Sequence, residues 1–260
     1  MIFDYYPGCT LKTKAKELDI FARKSAEALG FTLREVDEWQ CCGAVYPLGA
    51  DQVAAKLPAV RALKAAGDAG RHLVTLCSAC HHVLKRVNDD AANNKEFQNT
   101  LKTYDADLEY TGGTRVLHFL EVLQEFVGFD NLRDKVVNPL LGRKIGAYYG
   151  CMLLRPSAVM EFDDAENPSI IESFIESLGA TPVKFPRRNE CCGGYISLKN
   201  KDAAGKMCRN ILDDAARCGA EELIAACPLC VYNVKKQGGE QAVSIVYFTE
   251  ILAEALSLRA

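Results

Sequence analysis

Ten of the twelve cysteines fall into two copies of one pattern: a lone cysteine, a Cys-Cys-Gly corner, then Cys-x-x-Cys. The first copy is Cys9, Cys41 and Cys42 before Gly43, then Cys77 and Cys80. The second is Cys151, Cys191 and Cys192 before Gly193, then Cys227 and Cys230. Four of the five pairs are separated by the same 150 residues; only Cys9 and Cys151 differ, at 142. Random drift scatters spacings. Equal offsets mean a duplicated unit whose cysteines must meet in space.

The duplication divides the 260 residues into halves, 1–135 and 136–260, each large enough for a core of its own or for a share in a common one. Apolar content of 49% and charged content of 25% are those of an ordinary globular chain. A formal charge of −3 offers no footprint for nucleic acid. No apolar run is long enough for membrane insertion. The start, Met1-Ile2-Phe3-Asp4, has neither the basic head nor the apolar run of a signal peptide, so the expected compartment is cytoplasmic. Thiols stay reduced there, and a dense cysteine set reads as metal-binding or catalytic rather than as disulfides.

Each half repeats one string of elements. Apolar strands are expected over 2–6 and 144–149, each ending just before a lone cysteine. Helices follow over 12–29 and 169–178, then strands over 31–36 and 182–185 that lead to the Cys-Cys-Gly corners. Second helices, 50–66 and 202–217, precede strands 72–76 and 222–226, which run into Cys-x-x-Cys. A strand–helix pair closes each half. Its sequence echo is His118-Phe-Leu-Glu-Val-Leu against Tyr247-Phe-Thr-Glu-Ile-Leu. Residues 88–113 read as a polar surface loop or short helix, and 131–143 as the linker. The expected fold class is therefore α/β: two pseudo-symmetric Rossmann-like halves with mostly parallel sheets flanked by helices. Such sheets bind ligands at the carboxyl ends of their strands, where Cys9, Cys77, Cys151 and Cys227 lie.

A structural zinc or a cubane cluster takes four ligands, whereas each half offers five cysteines. Adjacent thiolates are poorly placed to fill two corners of one tetrahedral ion. They suit two metal atoms of one polynuclear iron–sulfur centre, and Gly43, Gly193 and Gly194 leave room for a backbone crowded against one. Zinc in at least one half is the competing reading, because Cys-x-x-Cys at a strand end suits zinc equally. No Gly-rich nucleotide fingerprint follows the first strand, so electrons must come from outside the chain.

On these motifs the chain resembles the B-type component of heterodisulfide reductase, built from two cysteine-rich CCG domains. The gaps after the lone cysteines, 31 and 39 residues, and after the pairs, 34 and 34, fit that family. So do Tyr6-Pro7-Gly8-Cys9 and Tyr149-Gly150-Cys151. The resemblance covers nearly the whole chain, with both copies complete. It implies an oxidoreductase of anaerobic metabolism. One non-cubane 4Fe–4S cluster in each half would be ligated by the ten cysteines. A mixed disulfide would bind between the clusters and split homolytically into two thiols. Electrons would come from a ferredoxin-like iron–sulfur subunit of the C type, itself fed by a flavin-bearing subunit of the A type. The alternative is an electron-transfer or scaffold CCG subunit of a hydroxy-acid or quinone-linked oxidoreductase.

Other residues carry competing readings. His81 and His82 follow Cys80 and either face the site, as substrate contacts, or are solvated or helix-start histidines. Arg155 either clamps an acidic substrate or forms a surface ion pair. His72 and His118 read as structural, Cys208 and Cys218 as packing residues, and Trp39 as core or as a shield over a cluster.

Overall fold

The computed structural model describes residues 1–37, 39–44, 51–239 and 242–259. Its strands are β1 (Ile2–Tyr6), β2 (Thr32–Glu35), β3 (Leu73–Thr75), β4 (Val116–His118), β5 (Lys144–Tyr148), β6 (Thr181–Val183), β7 (Glu222–Ala225) and β8 (Ser244–Tyr247). They form two four-stranded parallel sheets, ordered β2-β1-β3-β4 and β6-β5-β7-β8. The order is the same in both, as the duplication requires. The fold class is α/β with two similar halves.

The helices of the first half are α1 (Gly8–Thr13), α2 (Lys16–Ala28), α3 (Leu57–Asp68), α4 (Ser78–Asn93), α5 (Lys95–Tyr104), α6 (Phe119–Val122) and α7 (Phe129–Asp134). Those of the second are α8 (Ser157–Met160), α9 (Ile170–Ser177), α10 (Lys201–Arg217), α11 (Pro228–Gln237) and α12 (Phe248–Ala255). Three expectations need correction. The single helix over 12–29 is two, because the backbone N–H groups of Lys14 and Ala15 both bond Thr10 O at 3.0 Å and Ala15 leaves helical geometry. Thr13 Oγ1 also turns back to Cys9 O at 2.8 Å, a competition with the helix ladder typical of threonine. Most of residues 88–113 is helical: α4 runs on to Asn93, and the Asn94 side chain then caps α5 by accepting from Phe97 N at 3.0 Å. Residues 131–134 belong to α7, so the linker begins after them. The expected helix start at Ala50, and the last residue, 260, lie outside the described residues.

The halves have separate sheets but one core. Buried apolar residues of both form a single cluster. Helix α12, at the end of the second half, packs on α2 of the first, where Thr249 Oγ1 donates to Leu18 O at 3.1 Å. In return α6 and α7 of the first half pack on α9 of the second. Phe248 sits at this crossing, with ring centroids 6.0 Å from Phe119 and 6.2 Å from Phe174. Each half thus lends its last helix to the other.

Candidate functional site

The lone cysteines and the Cys-x-x-Cys pairs stand at the carboxyl edges of the sheets, as expected for this fold. Cys77 is the N-cap of α4, and Cys227 is the N-cap of α11. A helix N-terminus favours a negative sulfur. Hydrogen bonds from Cys227 and Cys80 hold Cys77 well below the ordinary thiol pKa. Cys227, although its hydrogen bond with Cys230 lowers it, is pushed up to about 12 by Cys77 and by burial. Cys9 lies in the first turn of α1, and Cys151 in the turn after β5.

The ten sulfurs form one continuous run. Cys9 Sγ is 3.6 Å from Cys41 Sγ, and Cys41 neighbours Cys42. Cys42 reaches Cys80, which reaches Cys77. Cys77 meets Cys227 across the boundary between the halves. The same steps then follow in reverse: Cys227 to Cys230, Cys230 Sγ 3.5 Å from Cys192 Sγ, Cys192 to Cys191 and Cys191 to Cys151. The order reads identically from either end, which is what a pseudo-twofold axis between Cys77 and Cys227 produces.

Away from the axis, charge follows the same symmetry. Hydrogen bonds from Cys42 and Cys9 hold the Cys41 thiol well below its ordinary pKa. Those from Cys151 and Cys192 do the same for Cys191, whose sulfur also lies 3.3 Å from Gly193 N. Their neighbours Cys42 and Cys192 are pushed up to about 12, chiefly by the negative sulfur beside each. In each adjacent pair the neighbours favour the negative form of the first sulfur and oppose that of the second.

Two glycines show that the backbone was fitted around sulfur. A Cβ on Gly8, at φ +73°, would sit 2.7 Å from Cys80 Sγ. Its counterpart Gly150, at φ +66°, would place one 3.4 Å from Cys230 Sγ. Five soft thiol donors per half on such a cradle fit an iron–sulfur centre. Among the described residues no three His, Cys, Asp or Glu side chains converge on one ion position.

Sequence reasoning missed the groups that hold these loops. The hydroxyls of Tyr6 and Tyr148, 142 residues apart like Cys9 and Cys151, donate to Gln40 O and Glu190 O, the latter at 2.8 Å. Each carbonyl immediately precedes an adjacent cysteine pair, so each tyrosine pins a Cys-Cys corner to the end of β1 or β5. His118 does the equivalent at the axis. Its Nε2 donates to Leu76 O at 2.8 Å and to Ala226 O at 3.2 Å, the residues just before Cys77 and Cys227. Tyr247 O–H, the counterpart of His118, also donates to Leu76 O. Ser78 Oγ donates to Ala226 O at 2.8 Å. The sequence signal was the constant offset carried by Tyr6 and Tyr148, together with the His118–Tyr247 echo.

The remaining candidates fall away from the sulfurs. His81 is fully buried, edge-on to His118, with Nε2 3.2 Å from Glu121 Oε2 at an angle that makes no hydrogen bond. It is neither solvated nor part of the cavity wall. His82 Nδ1 is 3.3 Å from Met152 O. Arg155 is held by Glu166 at 2.9 Å and Asn189 O at 3.4 Å, the surface ion pair of the two readings. His72 is structural, stacked near Phe3 and Phe126. Trp39 meets Tyr6 edge-on at 5.9 Å and donates to Glu35 Oε1 at 2.9 Å, behind the first Cys-Cys corner. Cys208 is a packing residue, its sulfur 3.2 Å from Cys192 O. Cys218 is not: it ends α10 and is exposed, because helix α10 stops there and its last turn faces water.

A cavity of about 270 Å³ opens onto the second cysteine set. All five of its cysteines line it, with Ser78 reaching in from the first half. The other lining residues include Met152, Tyr195, Leu198, Leu229, Tyr232 and Asn233.

The cysteine-rich domain called CCG matches residues 3–85 and again 145–235. The chain is 30% identical over 266 aligned residues to the 8-methylmenaquinol:fumarate reductase membrane anchor subunit of Wolinella succinogenes, covering 99% of this chain and 93% of that one. It is 24% identical over 198 residues to the B-type component of the ferredoxin:CoB-CoM heterodisulfide reductase of Methanosarcina mazei, covering 72% of this chain and 66% of that one. A crystal structure of a hypothetical protein from Helicobacter pylori shares the fold with a TM-score of 0.75 at 12% identity. It covers all of this chain, which spans 49% of that one. Among the described residues no helix is long and apolar enough to cross a membrane.

Proposed function

Because the chain belongs to the cysteine-rich CCG family, in two copies, and is a redox subunit of the heterodisulfide reductase type, we propose that it is the disulfide-reducing subunit of a multi-subunit complex. Its two CCG units are 1–135 and 136–260. Cys9, Cys41, Cys42, Cys77 and Cys80 would hold one non-cubane 4Fe–4S cluster. Cys151, Cys191, Cys192, Cys227 and Cys230 would hold the other. Bound there, such groups supply one electron at each of two centres, so that a mixed disulfide takes up two electrons and two protons and leaves as two thiols. The observation that carries this reading is the unbroken run of ten sulfurs meeting at Cys77 and Cys227. Two independent metal sites would not need to touch.

The chain's own residues do the positioning. Tyr6 and Tyr148 fix the Cys-Cys corners. His118, Tyr247 and Ser78 fix the two Cys-x-x-Cys turns to each other, and Gly8 and Gly150 admit the sulfurs. The chain brings no nucleotide fingerprint, so a ferredoxin-like iron–sulfur subunit fed by a flavin-bearing subunit delivers the electrons, in the cytoplasm. The relative at 30% identity supports a second reading, an electron-transfer subunit of a quinone-linked oxidoreductase in which no disulfide binds. An anaerobic iron and sulfide count tests the first requirement of both. About eight irons per chain is expected, and zinc alone overturns it. Turnover of a disulfide by the native complex, lost on Cys151→Ala with Cys227→Ala, separates the two readings.

A further inference from the structure

The cavity on the second cysteine set is graded. Its floor is made by Cys192, Cys227 and Cys230, all at most 9% exposed. Its mouth is made by Tyr195, Leu198, Leu229 and Tyr232, which are 38%, 69%, 41% and 59% exposed. Ile196, beside them, is 41% exposed. Large apolar side chains left in water at one concave place, leading down to the sulfurs, mark a binding surface.

The wall's polar groups are already engaged. Ser78 Oγ donates to Ala226 O, and Ser197 Oγ to Gly194 O at 2.7 Å. Asn233 Nδ2 donates to Cys192 O at 2.7 Å. Tyr149 O–H is held by Glu172, and Tyr195 O–H donates to Ala44 O. Among the described residues, no Lys, Arg, His, Asp or Glu lines the cavity. Lys236, one turn beyond Tyr232, is 3.0 Å from its hydroxyl and 5.3 Å from its ring. Below this rim lysine, which Tyr232 already holds, an anionic ligand descending the wall loses water without meeting a cation, which is costly.

We propose that this mouth admits an uncharged, mainly apolar redox-active group and rejects anionic ones. The inference rests on the redox reading of the cysteines, and it narrows the substrate to a neutral disulfide or a quinone ring. The two share the chemistry the wall recognises.

The test is equilibrium binding to the anaerobically purified, iron-loaded protein by calorimetry, with two matched pairs. Lipoamide and lipoate are disulfides that differ only in amide against carboxylate. 1,4-Naphthoquinone and its 2-sulfonate are quinones that differ by one anionic group. At least one neutral member should bind, and its anionic partner should bind at least ten-fold more weakly. Which neutral member binds distinguishes the two sources. Leu198→Lys, at a mouth position 69% exposed and outside the cysteine turns, should narrow the preference by bringing a second cation to the mouth, with iron content and circular dichroism unchanged. An anionic member binding as tightly as its neutral partner overturns the proposal, as does no binding by any of the four. A protein without iron would refute the redox reading instead. The pairwise preference, set by the wall's side chains, would still be readable.

Discussion

His118→Phe removes one imidazole that touches both cysteine sets through the backbone. The phenyl ring retains the packing against Phe162 and Phe248, whose centroids lie 5.9 Å and 5.5 Å from the imidazole. What disappears is the Nε2 donation to Leu76 O and Ala226 O, and the Nδ1 acceptance from Leu120 N at 3.3 Å that caps α6. Leu76 O keeps Tyr247 O–H as a donor, and Ala226 O keeps Ser78 Oγ and Ser78 N–H, so neither is orphaned. Two buried hydrogen bonds and a cap at about 1 kcal/mol each give a loss of about 2–3 kcal/mol at pH 7.5. The pH dependence provides an independent check. Burial lowers the His118 pKa to about 3 in the folded protein, against about 6.5 unfolded. The unfolded chain therefore binds the proton first as pH falls. The stability contributed by the neutral ring is complete above about pH 6.5 and is lost progressively toward pH 3. Between pH 7.5 and 5.5 that loss is about 1.4 kcal/mol, and the variant lacks it. Anaerobic urea denaturation, followed by circular dichroism at the two pH values, should show the variant's deficit shrinking by that amount. A deficit under about 0.5 kcal/mol at pH 7.5 would refute the bridging role. An unchanged pH slope would refute the buried neutral imidazole.

Three further outcomes follow from the site. Gly8→Ala places a Cβ 2.7 Å from Cys80 Sγ at a positive φ, so it should cost about 1 kcal/mol or more of backbone strain and roughly halve the iron bound; full iron content would contradict the cradle. Cys42→Ala and Cys192→Ala should each empty only their own half, read as half the iron per chain, and loss of all iron from either would show that the halves load as one unit. Native alkylation followed by peptide mass spectrometry should label exposed Cys218 and spare Cys208, which is buried with its sulfur against Cys192 O; labelled Cys208 would mean that α10 opens.

The cysteine pattern was legible because ten cysteines repeat as a set, four of the five pairs at one offset, and the strands because parallel sheets read as short apolar runs. Helix boundaries were less so. Apolar periodicity continues through Lys14 and Ala15 even though the chain turns there, since the turn is made by carbonyl sharing at Thr10 rather than by Gly or Pro. For His81 the helix start was legible and the helix face was not. Adjacency to Cys80 says nothing about helix face, and one step along α4 turns the side chain from the sulfurs into the contact between the halves. The roles of His118 and Tyr247 were hidden because they act through backbone carbonyls of residues far away in sequence, which no local pattern records.

The exchange of closing helices sets an order of events during synthesis. The apolar face of α2 waits for α12, which begins at Phe248 and is made more than two hundred residues after it. All five cysteines of the first half are already translated by then, yet the half that carries them has no finished wall. A chain stalled just before Phe248 would have made every cysteine and still lack the helix that covers α2 and closes the shared core.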